Sequence, residues 1–140
     1  MTDSISFEKV DHIGIAVNNL KQAIEKFSSM LGFPPLSIEE VPEQNVKAAF
    51  FRIGETNLEL LESTKEDSLV SKFLSKRGNG VHHVCLKVNN IEKLLEELKS
   101  KDMKLIDEKA RIGAHKKKVA FIHPNSTNGV LIELSESIED

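Results

Sequence analysis

Two histidines and two glutamates recur at matching places in the two halves of this 140-residue chain. His12 lies in "VDHIGIAV" and His83 in "GVHHVCLKV", and each is the third residue of a V-x-H sequence. Glu59 and Glu133 each stand inside a run that is otherwise rich in Leu, Ile and Val. A buried carboxylate without a partner is very costly, so two such glutamates favour a bound cation. Two imidazoles and two carboxylates suit a borderline divalent metal such as Co, Zn, Mn or Ni, with coordination positions left for water or a substrate.

A second interpretation of these four residues stays open from the residues alone. A lone histidine in a strand is usually a core residue with satisfied hydrogen bonds, and a lone glutamate in a strand usually faces solvent. Duplication of an ancestral unit could keep such residues in register without any metal. Their recurrence in both halves nevertheless favours the metal site.

The elements that must position these residues are also repeated. Each V-x-H strand ends in Val-Asn-Asn, and a helical pattern of apolar residues at three- and four-residue spacing follows it. In the first copy Asn18 or Asn19 can cap the start of the helix, and Gly32 stands where the helix should stop. In the second copy Asn89 and Asn90 precede the helix. The predicted helices are 20–31 and 91–98, and the predicted strands that follow them are 46–53 and 57–62 in the first copy and 117–124 and 129–136 in the second.

This order of elements predicts an α+β fold of two paired βαβββ modules, with helices on one face of each sheet. The whole chain, 1–140, is then one domain with an internal repeat over 8–62 and 79–136. The joining segment, 63–80, contains one further short helix by the same spacing argument.

The alternation of side chains along a strand decides where the histidines point. In the first strand His12 shares a face with Gly14 and Ala16, whereas the apolar residues between them face the helix. In the second copy His83 shares a face with Cys85. Each histidine is therefore predicted to lie on the sheet face that is turned away from its helix.

Composition narrows the classes of function. A formal charge of −3 gives no general affinity for nucleic acid. The single cysteine excludes an intrachain disulfide and fits a reducing cytosol. The opening residues "MTDSISFEK" lack the pattern of a signal peptide, and no apolar run approaches the length of a membrane helix. We therefore expect a cytoplasmic protein.

The chain resembles the vicinal oxygen chelate superfamily and, within it, the methylmalonyl-CoA epimerases. The resemblance spans most of residues 8–136 and rests on "VDHIGIAV", "PEQNVKAAF", "LELLE", "EDSLVSKFLSKRGNGVHHVCLKV", "IGAH" and "HPNSTNGVLIEL". It implies a glyoxalase-like fold with His12, Glu59, His83 and Glu133 as ligands of one divalent metal ion. It further implies metal-dependent interconversion of the R and S forms of methylmalonyl-CoA, by α-proton abstraction and return through a metal-stabilised enolate.

One part of that pattern is absent. Some members of the family carry a glutamate base at the position of Ala48, and alanine cannot act as a base. Glu43 or Gln44 could approach from the same loop. We favour Glu133 and Glu59 as the acid and base, because a near-symmetric site supplies a carboxylate on both sides of the substrate.

Substrate contacts are predicted in two loops. Gln44 belongs to the first, and the second consists of Gly113, Ala114, His115 and Lys116. The run "AHKKK" is either a solvated edge or a contact for CoA phosphates, and Lys72, Lys76 and Arg77 are similar candidates.

Two other functions use the same residues. One is a glyoxalase I-like lactoylglutathione lyase, whose pattern also has His-Glu-His-Glu. The other is a metal-free small-molecule-binding protein of the superfamily, although such proteins usually lose the metal ligands. For all three we expect a small-molecule ligand, which for the epimerase is a CoA thioester, no nucleic-acid or membrane partner, and a homodimer.

Overall fold

The computed structural model describes residues 4–138 and has a mixed α+β fold. These residues divide into two compact units, one formed by residues 12–82 and the other by residues 4–11 and 83–138. In each unit a small sheet carries a helix on one face, which confirms the predicted fold class. No helix among the described residues is long and apolar enough to cross a bilayer.

The unit of residues 12–82 contains a four-stranded sheet in the order β2-β3-β4-β1. The pairs β2–β3 and β3–β4 are antiparallel, whereas β4 and β1 are parallel. Strand β1 contributes to this unit from His12 onward. The elements are β1 (Phe7–Ala16), α1 (Leu20–Leu31), β2 (Ser37–Val41), β3 (Val46–Ile53), β4 (Thr56–Ser63) and α2 (Leu69–Arg77).

Helix α1 covers one face of that sheet. The Asn19 side chain accepts a hydrogen bond from the Gln22 amide at 2.9 Å, and Gly32 ends the helix at φ 86°, where a side chain would be strained. The apolar face of the helix packs on the sheet, with the rings of Phe27 and Phe51 6.2 Å apart. The buried residues of this core are Val17, Leu20, Ala49, Phe51 and Leu60.

The other unit repeats this arrangement. Its sheet has the order β5-β8-β7-β6, in which β5 and β8 are parallel and the other pairs antiparallel. Strand β5 contributes to this unit from His83 onward. Helix α3 packs on one face of this sheet. The buried residues of the core between them are Val88, Ile91, Leu94, Leu95, Ala120, Ile122 and Leu134. The elements are β5 (Gly80–Val88), α3 (Ile91–Ser100), β6 (Arg111–Ile112), β7 (Lys117–Ile122) and β8 (Ile132–Ser137).

A carboxylate from the last strand of each unit holds the first turn of the covering helix. The Leu20 amide donates to Glu62 Oε1 at 2.6 Å, and the Ile91 amide donates to Glu136 Oε1 at 2.9 Å. A helix N-terminus has unsatisfied amides and a partial positive charge, and a glutamate complements both. The same device thus fixes both helices against their sheets.

Strand ends differ most from the sequence prediction. Strand β8 begins at Ile132 rather than 129, because Gly129 has φ 87° and both backbone polar groups of Val130 bond to Thr127. Strand β7 ends at Ile122 rather than 124, because a 3-10 turn follows at Pro124–Ser126. The prediction assigned no residues to the short strands β2 and β6.

Candidate functional site

In the unit of residues 12–82, His12 and Glu59 form a close pair. His12 Nδ1 lies 3.3 Å from Glu59 Oε2, and the side chains are 12% and 13% exposed. Register explains the contact: Glu59 on β4 is opposite Gly14 on β1, so His12, two residues before Gly14, is a diagonal neighbour on the same face. On its other side Glu59 is opposite Phe50 of β3.

The other unit builds the same pair in the same register. His83 Nε2 lies 3.1 Å from Glu133 Oε1, and both side chains are only 3% exposed. Glu133 on β8 is opposite Cys85, so His83 again stands two residues before the partner of the glutamate. On the other side Glu133 is opposite Phe121 of β7, whose ring meets the His83 ring edge-on with centroids 5.8 Å apart.

Both pairs lie on the sheet faces turned away from the helices, as strand alternation predicts. Leu58 and Leu60 pack toward α1, so Glu59 between them points the other way. Ile132 and Leu134 pack toward α3 and leave Glu133 on the opposite face.

The chemistry of each pair fits a cation. An imidazole nitrogen and a carboxylate oxygen this close need either the N–H of the ring, which a neutral imidazole also carries, or a shared metal ion between them. For His83 and Glu133 the need is greater, because both are buried and the nearest sheet neighbours of Glu133 are Cys85 and Phe121. Each unit therefore offers one imidazole and one carboxylate as candidate metal ligands.

Two residues near these pairs have other roles. His82 meets the ring of Phe73 on α2 edge-on, with centroids 5.2 Å apart, and Arg77 lies over the same ring. Cys85 is completely buried and is the small residue opposite Glu133.

The first predicted substrate loop forms a short turn. Pro42–Gln44 make one 3-10 turn, which Asn45 ends in a left-handed conformation at φ 57°. Glu43 is exposed in this turn. Ala48 is fully buried and lies two residues from Phe50, on the same face of the sheet as Glu59. Ala48, where the family resemblance implies a base in some members, therefore lies on the face of the pair but has no titratable group.

The second predicted loop is a tight connection between β6 and β7. The Gly113 amide donates to the Lys117 carbonyl at 2.8 Å, and a side chain on Gly113 would stand 3.0 Å from a methyl group of Val119. His115 and Lys116 are both left-handed, at φ 58° and 55°, and both are exposed. Gly113 and Ala114 thus lie in a tight turn whose backbone packs against Val119, and their contact with a substrate stays a prediction.

The lysine run is divided among different environments. Lys116 is exposed, Lys117 Nζ lies 3.1 Å and 3.2 Å from the two oxygens of buried Asp11, and Lys118 pairs with Glu92 of α3. A solvated edge describes Lys116 and Lys118, whose side chain is 37% exposed, but not Lys117, whose partner is buried.

Sequence reasoning missed several ion pairs in the unit of residues 4–11 and 83–138, and two of them involve the face of β6 and β7 that also carries Phe121. These two are Asp11–Lys117 and Asp107–Arg111. The partners of the first pair lie 106 residues apart, so local spacing carried no signal for it. The second could have been suspected from its i,i+4 spacing, but its position on the sheet depends on β6, a strand of two residues.

A family model supplies the identification. The model of the glyoxalase/bleomycin resistance protein/dioxygenase superfamily matches residues 11–121. The chain belongs to this superfamily.

Individual members of the superfamily refine the placement. The chain is 45% identical over 128 residues to the uncharacterized protein YqjC of Bacillus subtilis, covering 91% of each. It is 36% identical over 130 residues to the mitochondrial methylmalonyl-CoA epimerase of Mus musculus, covering 92% of this chain and 73% of that protein. A solved methylmalonyl-CoA epimerase in complex with methylmalonyl-CoA and NH4+ is 34% identical, with a TM-score of 0.89 and coverage of 96% and 97%. Within the superfamily, the chain therefore groups with the methylmalonyl-CoA epimerases.

Proposed function

We propose that the chain interconverts the R and S epimers of methylmalonyl-CoA by removing and returning the α-proton. The observation that carries the proposal is the His–Glu pair built in the same register in both units. Relatives named as methylmalonyl-CoA epimerases, matched over nearly the whole of this chain, supply the substrate class.

In this proposal His12, Glu59, His83 and Glu133 hold one divalent metal ion, cobalt or zinc for preference among Co, Zn, Mn and Ni. When bound, such an ion acts as a Lewis acid that offsets the negative charge developing on the thioester. The residues themselves must hold the substrate with its α-carbon between two proton-transfer groups, because inversion requires removal on one face and return on the other.

Glu133 and Glu59 are the proposed proton-transfer groups. Each carboxylate is held beside a histidine on the helix-free face of its sheet, which restricts its orientation. Ala48 leaves no alternative base at its position. Gln44, Gly113, Ala114, His115 and Lys116 are the proposed substrate contacts, and His115 and Lys116 are exposed in the turn between β6 and β7.

The decisive experiment is α-proton exchange. Methylmalonyl-CoA incubated with the chain in deuterated water should incorporate deuterium and epimerise, and removal of metal by a chelator should abolish both. Parallel assays with methylglyoxal and glutathione test the lyase. Turnover of methylglyoxal without exchange on methylmalonyl-CoA would establish the lyase instead, and no turnover with either substrate and no stoichiometric metal would favour the binding protein.

Location and assembly complete the proposal. We place the chain in the cytoplasm, on the evidence of its single cysteine, and as a homodimer, as its resemblance to the family implies. Sedimentation equilibrium measures the second point directly, and a monomer mass at micromolar concentration would contradict it.

A further inference from the structure

Arg111 projects from the same sheet face as His83 and Glu133. On the antiparallel pair β6–β7 Arg111 is opposite Val119, which is two residues from Phe121, and Phe121 is opposite Glu133. Paired residues share a face, as do alternate residues along a strand. The guanidinium group of Arg111 accordingly lies over the Phe121 ring, with its central carbon 5.7 Å from the ring centroid.

The guanidinium group is held in place from two sides. Arg111 Nε lies 3.3 Å from Asp107 Oδ1, while the other oxygen of Asp107 accepts a hydrogen bond from the Phe121 amide at 2.8 Å. The ring below it is the one that meets His83 edge-on. Arg111 therefore stands one aromatic ring away from the His83–Glu133 pair, in a fixed orientation.

The remaining donors of this group are available to a ligand. Among residues 4–138, Asp107 is the only hydrogen-bonding partner of the Arg111 side chain, and it occupies Nε alone. The side chain is 40% exposed. The two terminal nitrogens of a guanidinium present parallel N–H groups that match the oxygens of a carboxylate or phosphate. Lys117, on the same face of β7, is itself paired with the carboxylate of Asp11, so Arg111 is the group argued to bind the ligand.

We propose that Arg111 binds an oxyanion of the thioester substrate and thereby determines which thioesters the site accepts. The inference rests on the proposed function for its substrate class. Two groups of methylmalonyl-CoA carry suitable oxygens, the free carboxylate of the malonyl part and the phosphates of CoA.

The test compares Arg111→Ala and Arg111→Lys with Lys118→Ala. Lys118 is a matched control because it lies on the same strand pair but pairs with Glu92 of α3, on the helix-covered side. The dissociation constant for methylmalonyl-CoA, measured by calorimetry without turnover, should rise about tenfold to a hundredfold in Arg111→Ala. Arg111→Lys should recover part of the loss, added guanidinium salt should partly rescue Arg111→Ala, and Lys118→Ala should stay within about twofold.

Two substrate analogues separate the sources of the oxyanion. Methylmalonyl-pantetheine lacks the CoA nucleotide, and propionyl-CoA lacks the free carboxylate. If Arg111→Ala weakens binding of methylmalonyl-pantetheine as much as binding of methylmalonyl-CoA, Arg111 binds the free carboxylate. If Arg111→Ala weakens binding of propionyl-CoA and methylmalonyl-CoA but not of methylmalonyl-pantetheine, Arg111 binds the phosphates.

Binding and turnover together distinguish the failure of this inference from that of the proposed function. Normal affinity of Arg111→Ala for all three thioesters, with reduced thermal stability, would overturn the inference and leave Arg111 as a support for Phe121. If the wild-type chain binds methylmalonyl-CoA without epimerising it, the proposed function is wrong. The same affinity comparison then still tests the inference about Arg111. If the wild-type chain does not bind methylmalonyl-CoA, both the proposed function and the inference about Arg111 are wrong.

Discussion

The two His–Glu pairs are chemically alike but differ in their access to water. His12 and Glu59 keep about an eighth of their surface exposed, whereas His83 and Glu133 are almost completely enclosed. Electrostatic interactions are stronger where water is excluded, because the effective dielectric constant is lower. Of the two proposed proton-transfer groups, we therefore expect Glu133 to have the larger effect when it is substituted.

The glutamates can be tested by isosteric substitution. Glu133→Gln should lower the rate of α-proton exchange by about 10²–10⁴-fold, the usual contribution of a general acid or base, and Glu59→Gln should lower it by a smaller factor. Metal content measured on the same samples separates loss of a ligand from loss of a base. Exchange at the normal rate in Glu59→Gln with metal retained would show that Glu59 is only a ligand.

Gly113 gives a second prediction at the scale of one residue. In Gly113→Ala the added carbon would meet Val119 at 3.0 Å, and the β-branched neighbour has little freedom to move. The free energy of unfolding should fall by about 1–3 kcal/mol, as is typical of overpacking, in a urea titration.

A double-mutant cycle identifies the cause of that loss. Val119→Ala removes both methyl groups that the new carbon would approach. The loss of unfolding free energy in the double variant should therefore be smaller than the sum of the losses in the two single variants. Additive effects would show that the loss arises from the backbone of the loop rather than from the contact.

At the scale of elements, each covering helix is attached to its sheet by one charged hydrogen bond. The carboxylates come from the strand that also carries the glutamate of the His–Glu pair, three residues further along. The strand thus contacts the helix from one face and carries a proposed metal ligand on the other.

Neutralising these carboxylates should loosen the helices. Glu62→Gln and Glu136→Gln should each lower the free energy of unfolding by about 0.5–2 kcal/mol, because a neutral amide interacts less well with the helix N-terminus. Glu96→Gln is the control, since Glu96 is exposed on α3 beyond its first turn. Equal stability of all three variants in thermal denaturation would contradict the attachment.

At the scale of the whole molecule, duplication explains what the sequence could reveal. Strand alternation in each half correctly placed His12 and His83 on the helix-free faces, and the residue spacing correctly located α1 and its stop at Gly32. The metal that these residues would hold stays a proposal.

Features that depend on pairing between distant strands could not be predicted. Strand β6 has two residues, too few for any periodicity, yet its register with β7 brings Arg111 onto the face of Glu133. Lys117 looked like part of an exposed run, and only the fold shows that its partner is the buried Asp11. In both cases the missing information was the register of strands far apart in the sequence.

The completely buried Cys85 provides a built-in reporter of fold opening. It is the chain's sole thiol, so a reagent such as Ellman's compound has one target. Modification should be slow in the native protein and rapid in denaturant, and its rate should follow the transient separation of β5 from β8. Rapid stoichiometric labelling under native conditions would show that β5 and β8 separate often in the native protein. Slow labelling would instead allow the colour change to report the free energy of opening of this strand pair without an engineered probe.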